Sequence, residues 1–160
     1  MARSIEVQEF PATQARIKAA QRVGVVLLLV LLAAALAGAF GMGGPVAGGN
    51  ARQGALAVEF PRFARNVAPT SIDVHIDQAA ASTVEVTLHG ELADAFHVEI
   101  ISPRPDQVSA TGDATTYRFI AVPGEAHRIR FEGQFETIGP VHGQVRAGQD
   151  AVPIRTFVHP

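Results

Sequence analysis

His75 stands between Asp73 and Asp77 in the run TSIDVHID, and no other stretch of the chain comes closer to a ligand set. Side chains two apart in a strand share a face, so an extended run would project the three together. A metal would still need a further ligand from a neighbouring strand, and alternation alone already sends every polar residue of such a strand into water. A solvated polar face is the plainer account, and no metal ligand is assigned. By the same period His89, His97, His142 and His159 fall on polar faces. His127 falls on the apolar face with Ile129 and Phe131, as a core or rim histidine would.

Cysteine is absent from all 160 residues, which removes thiol nucleophiles, disulfide frameworks and Cys-ligated metals together. The two methionines, Met1 and Met42, lie outside the β-rich region, so no Met-containing copper site can form there. The sequence contains no G-x-S-x-G, H-E-x-x-H, P-loop or G-x-G-x-x-G motif. A formal net charge of -2 lacks the basic excess of a nucleic-acid binder. The paired carboxylates Glu132 and Glu136 are read as solvated charge. The residues therefore predict no enzyme, no cofactor and no nucleic-acid partner.

Arginine supplies one pattern. Arg128 and Arg130 share the polar face of one candidate strand, and Arg118, Arg146 and Arg155 lie on others. If those strands are neighbours, the five form a basic interaction patch on one sheet, suited to an acidic partner or to anionic headgroups. The competing account is ion pairing with Glu132 and Glu136.

What positions these residues is written in the distribution of charge. Residues 23–42, VGVVLLLVLLAAALAGAFGM, carry no charged side chain. As a helix, twenty residues span about 30 Å, the thickness of a bilayer's hydrocarbon core. A buried core helix would keep a polar stripe, and this run has none. Arg3, Arg16, Lys18 and Arg22 precede it against Glu6 and Glu9, whereas nine Arg face thirteen Asp or Glu beyond Met42. Basic flanks stay on the cytoplasmic side, which predicts a cytoplasmic N-terminus, a single span in the cytoplasmic membrane and an extracytoplasmic C-terminal domain. Ala35-Leu36-Ala37 and Ala37-Gly38-Ala39 also satisfy the small-x-small pattern of signal peptidase. The apolar run exceeds the about 7–15 residues of a secretory h-region, which favours a retained anchor. The pairs Ala34/Gly38, Ala35/Ala39 and Ala37/Gly41, four apart, would let a second membrane helix approach closely. The expected partners are thus the lipid bilayer and another integral membrane protein, or a second copy of the chain. Alternatively, these small residues are merely tolerated in the span or belong to the c-region of a signal peptide.

Residues 12–22 hold good helix formers behind Pro11, which suits a first helical turn continuous with the span. Together with a frayed tail they make residues 1–22 the cytoplasmic part. Residues 43–54, rich in Gly, read as a flexible tether. From 55 to 160 the period changes to two. Ile72, Val74 and Ile76 alternate with Asp73, His75 and Asp77, and Val84, Val86 and Leu88 alternate with Glu85, Thr87 and His89. Further strands are expected at 56–60, 96–101, 115–122, 127–135, 141–146 and 152–158, separated by Pro, Gly, Asn and Asp turns. Gly90–Ala95 is the one helical candidate. The sum is an all-β fold, an antiparallel immunoglobulin-like sandwich of about seven or eight strands. Phe60, Phe63, Phe96, Phe119, Phe131 and Phe135 are its expected core aromatics. Without Trp or Cys it is no antibody-type domain.

Three short motifs carry a family likeness: Val58-Glu59-Phe60-Pro61-Arg62-Phe63, Ala68-Pro69-Thr70 and Phe157-Val158-His159-Pro160. With the basic tail, anchor and tether, the chain resembles bacterial single-pass membrane proteins that carry an exported immunoglobulin-like sandwich, the type associated with YetF-like membrane proteins. What the resemblance implies is a non-catalytic envelope accessory, with no catalytic residue to carry over. The expected function is presentation of a β-sandwich to a partner membrane protein. The alternative is an extracytoplasmic module binding a small ligand, a sugar or a cation, and a pocket lined by Phe63 or Tyr117 would favour it.

Overall fold

The computed structural model describes residues 11–36 and 48–160, and the chain divides into two compact units, 1–36 and 37–160. Proline needs no N–H partner at the first position of a helix. Helix α1 (Pro11–Leu36) begins on Pro11 and continues unbroken into the apolar run. From Val23 onward its side chains are exposed all round apart from half-buried Ala34, with Val23 at 66% and Leu36 at 74%. Among the described residues no helix is long and apolar enough to cross a membrane. The uncharged part of α1, from Val23 to Leu36, rises about 21 Å at 1.5 Å per residue, against about 30 Å of hydrocarbon. The rest of the expected span lies outside the described residues, as do Ala37, Gly38, Ala39 and Gly41. Ala34 and Ala35 stand in the last turn of α1.

The second unit is a two-sheet sandwich. Its elements in order are β1 (Gly48–Gln53), β2 (Leu56–Pro61), β3 (Phe63–Arg65), β4 (Pro69–Ile76), β5 (Thr83–Gly90), α2 (Glu91–Ala95), β6 (Phe96–Ser102), β7 (Gln107–Thr111), β8 (Ala114–Ile120), β9 (His127–Phe135), β10 (Gly139–Ala147) and β11 (Asp150–His159). One sheet runs β1-β2-β4-β9-β6 and the other β3-β11-β10-β5-β8-β7. All pairings are antiparallel except β3 with β11, which is parallel. That exception arises because the chain leaves β2 at Pro61, crosses at Arg62 and joins the opposite sheet as β3.

Alternation does the packing. Ile72, Val74, Ile129 and Phe131 from the first sheet meet Val86, Leu88, Phe119 and Ile154 from the second, all at 0–1% exposure. Tyr117 and Phe119 present T-shaped contacts to Phe131, with ring centroids 5.1 and 6.4 Å apart. Phe96 and Phe135 pair at 5.0 Å. Phe60 and Phe63, expected in the core, are only half-buried. Phe60 lies near the β1 edge, and Phe63 projects from the three-residue β3, whose inward residue is Ala64.

Three strands were not expected. β1 occupies part of the segment read as a tether: from Gly48 the chain pairs residue by residue with β2, Gly48 against Pro61 and Gln53 against Leu56. The hairpin closes at Gly54 with φ 56, and the Asp150 carboxylate accepts the Ala55 N–H at 2.9 Å. β3 and β7 complete the eleven strands, in place of seven or eight. β8 also ends at Ile120, not Val122, because Ala121 turns to donate to the Ser82 carbonyl. The expected short helix is present as α2, where Leu92 is fully buried against β10. This close approach needs Gly143, where a Cβ would meet Leu92 Cβ and lie 2.6 Å from the His89 carbonyl oxygen.

Candidate functional site

The outer face of the first sheet gathers the charges of β2, β4 and β9 by cross-strand register. Glu59, Asp73 and Arg130 are successive partners across the three strands, and His75 pairs with Arg128. Asp73, expected in water, is only 7% exposed. It sits on a central strand under two long side chains: the Arg130 Nε–H donates to its Oδ1 at 2.8 Å, and the Arg128 Nε lies 3.8 Å from the same oxygen. The hydrogen-bonded carboxylate holds the Arg130 guanidinium above its ordinary value, with Coulombic attraction adding to the effect. Asp77 is engaged by Arg52, and His75 Nε2 stands 4.0 Å from Glu59. Asp73 and Asp77 are therefore tied into ion pairs with arginines, His75 Nε2 is buried without a hydrogen-bond partner, and among the described residues no three His, Asp or Glu side chains converge to hold a metal.

The five arginines do not form one patch. Arg128 and Arg130 belong to β9 of the first sheet, whereas Arg118, Arg146 and Arg155 lie on β8, β10 and β11 of the second. The expectation of a single basic face fails because the strands carrying it are not in one sheet. Arg118 is also neutralised, donating to Glu85 Oε1 at 2.7 and 2.9 Å and to Gln107 at 2.9 Å. The expected pairing with Glu132 and Glu136 does not occur either. Asp73 takes Arg128 and Arg130, and Glu85 takes Arg118. Among the described residues Arg146 and Arg155 make no ion pair.

A cleft of about 640 Å³ opens at the end of the sandwich that holds the β1-β2 and β10-β11 turns. Gln78, Glu85, His89, Arg146 and Asp150 contribute its polar lining. Most of these groups already have partners: Glu85 takes Arg118, His89 stands 3.6 Å from Asp113, and Asp150 takes the Ala55 N–H. Neither Phe63 nor Tyr117 lines it. Tyr117 packs inside the sandwich, where burial pushes its phenol above the usual value of 10.0.

The four sheet edges differ in how they are guarded. β3 has three residues. β6 is interrupted by a register shift between Val98 and Ile100, and β1 carries Arg52 in its ion pair with Asp77. Short edges, bulges and charges are the usual means of blunting an edge. β7, QVSAT, has none of them: five residues without charge, Pro or Gly, regularly paired to β8 on one side and exposed throughout. Val108 is 53% exposed, and Ile120, just beyond the edge on β8, is 73% exposed.

No protein-family model matches the sequence, and no curated protein matches it. Among solved structures, the chain is similar to a non-cellulosomal cohesin from the hyperthermophilic archaeon Archaeoglobus fulgidus, at 9% identity and a TM-score of 0.41 over 61% of this chain and 86% of that one.

Two features escaped sequence reasoning. β7 carries a single large apolar residue, so it lacks a periodic signal. The other is an aromatic corner on the outer face of β3 and β11, where Phe63 stacks on His159 at 5.9 Å and Phe157 meets the same ring edge-on at 4.9 Å. Its trace was the F-x-R of β3 and the F-x-H of β11, which share a face at period two.

Proposed function

We propose that the chain is a non-catalytic interaction protein. It is held in the cytoplasmic membrane by residues 23–42 and presents its sandwich on the extracytoplasmic side to a partner membrane protein. The observation that carries this reading is the unguarded β7 edge. An exposed strand with free backbone N–H and C=O groups and no opposing charge is a template onto which an extended segment of another protein adds as a further strand. The charged side chains around Asp73 and Arg118 are bound to one another, whereas the backbone groups on the outer side of β7 have no neighbouring strand.

A photo-activated cross-linker placed at Ser109 in native membranes tests it. The expected result is a discrete adduct to one membrane protein from position 109 and none from Gln144, on the outer face of β10 in the middle of the same sheet. Equal adducts from both positions, or from neither, would overturn the reading. A second reading, a small-ligand module for a sugar, has the cleft beside Arg146 in its favour. It requires that ligand binding be lost on Arg146→Ala and unaffected by a charge placed on β7.

A further inference from the structure

The exposed apolar groups at the end where the chain enters the sandwich have no explanation in the β7 edge. Gly48 is paired with Pro61, so the polypeptide coming from residue 47 joins the fold next to Arg62 and Phe63. Phe63 is the cross-strand partner of Phe157, and Arg65 that of His159. Phe157 is 42% exposed although it belongs to the longest strand of the fold. His159 Nε2 is buried in this cluster without a hydrogen-bond partner. Arg62 and Arg65 flank the rings, and Arg155 lies two residues before Phe157 on the same face of β11. Among the described residues none of these three guanidinium groups makes an ion pair, unlike Arg52, Arg118, Arg128 and Arg130. Val67 and Ile138, both 60% exposed, occupy loops at the same end. One carboxylate approaches from α2: Glu91 accepts the backbone N–H of His142, the partner of Arg155 on β10.

We infer that this aromatic-arginine corner rests on anionic lipid headgroups. The inference builds on the membrane-anchored reading above and adds a surface to it. Aromatic rings flanked by arginines match the boundary between headgroups and acyl chains, where apolar faces are buried and cations meet phosphate. Chain length points to the same occupant. Five residues, 43–47, separate the proposed span from Gly48, and five residues reach at most about 18 Å. Because the tether joins the fold beside Phe63, an anchored chain keeps this corner, and not the cleft end, within reach of the bilayer. The two contacts then divide the molecule: lipid holds the β3-β11 corner, and the β7 edge at the opposite side of that sheet stays open to a protein.

The chain contains no Trp, so a single introduced Trp reports its own surroundings. Full-length Phe157→Trp is reconstituted into phosphatidylcholine vesicles containing about a quarter phosphatidylglycerol, with a spin-labelled lipid quencher near the headgroup. The control is Val122→Trp, an exposed site at the other end. Quenching of Trp at 157 is expected to exceed that at 122 by about twofold or more. It should fall to the control level in pure phosphatidylcholine, or when Arg62, Arg65 and Arg155 are replaced together by Glu, since each cation contributes to attraction by an anionic surface. Circular dichroism of the triple variant checks that the sandwich persists; if it does not, Arg155→Glu alone is expected to reduce the quenching. Equal quenching at 157 and 122 in protein that floats with the vesicles overturns this inference and leaves the anchor standing. Failure to float overturns both. Protection from aqueous acrylamide without lipid quenching would mean that a second copy of the chain covers the corner, and also overturns it.

Discussion

Asp73 is the residue on which the outer face of the first sheet is organised. Its carboxylate is nearly inaccessible and faces two guanidinium groups two residues apart on β9, one at hydrogen-bonding distance. Removing its charge leaves Arg128 and Arg130 to repel each other across a partly desolvated site. Asp73→Asn is expected to cost about 1–3 kcal/mol in urea unfolding, the range for a buried partner left unpaired. Arg130→Gln in the same chain should recover part of that loss, since contacting residues are not additive. Tyr117 offers a test by pH. Its phenol is buried against Phe131 with its pKa raised, so the folded state keeps the proton that the unfolded chain releases above its ordinary value of 10.0. Above about pH 10 the unfolded state binds fewer protons, and stability falls as pH rises toward the folded value. Tyr117→Phe is expected to remove this part of the alkaline loss while leaving neutral-pH stability within about 1 kcal/mol. Thermal melts at pH 8 and pH 10.5 compare the two proteins.

At the level of elements, the α2 turn depends on the absence of one carbon. Leu92 reaches the core only because β10 carries Gly143 beneath it, and Gly143→Ala drives a Cβ into Leu92 and the His89 backbone. An overpacked contact of this type costs about 1–3 kcal/mol. The expected signature is faster amide exchange in α2 and at the β5-β10 pairing, with the β4-β9 ladder unchanged. The same elements show what was legible in the sequence. The eight strands with alternating Val, Ile and Phe lie within a few residues of their expected positions, because burial of one face imposes period two wherever a strand covers a core. β1 escaped because its Gly-rich run has no apolar period and is held by the register of β2. β3 is too short for any period, and β7 lies beyond the edge of the core. The arginine patch failed for a different reason. Alternation reveals the face on which Arg118 or Arg130 projects, but strand order is a long-range property, and β8 and β9, consecutive in the chain, belong to opposite sheets. Asp73 was legible as outward-facing, but its burial depends on two arginines 55 and 57 residues away.

For the whole molecule, the proposed anchor carries a prediction about which side of a bilayer the sandwich would occupy, and the charges flanking α1 make that a measurable quantity. Arg16, Lys18 and Arg22 all lie in α1 ahead of the uncharged run. Cationic residues close to a span resist translocation, and orientation follows the difference across it. On the far side the nearest cation is Arg52, ten residues beyond Met42. Arg62 and Arg65 fold into the sandwich and are about 20 residues or more beyond Met42, near the limit at which positive charge influences topology. The nearby cations are therefore Arg16, Lys18 and Arg22 on one side against Arg52 on the other. With alkaline phosphatase fused after Pro160, which is active only when exported, the wild-type sequence is expected to give full activity. Replacing Arg16, Lys18 and Arg22 with Glu removes the bias and is expected to cut that activity about tenfold, as a 1.4 kcal/mol change in preference would. The same replacements should leave the protein in the membrane pellet after alkaline carbonate, because hydrophobic insertion does not depend on the flanking charge. A wild-type fusion active only as a cytoplasmic reporter would place the sandwich inside. The β7 edge would then face cytoplasmic partners.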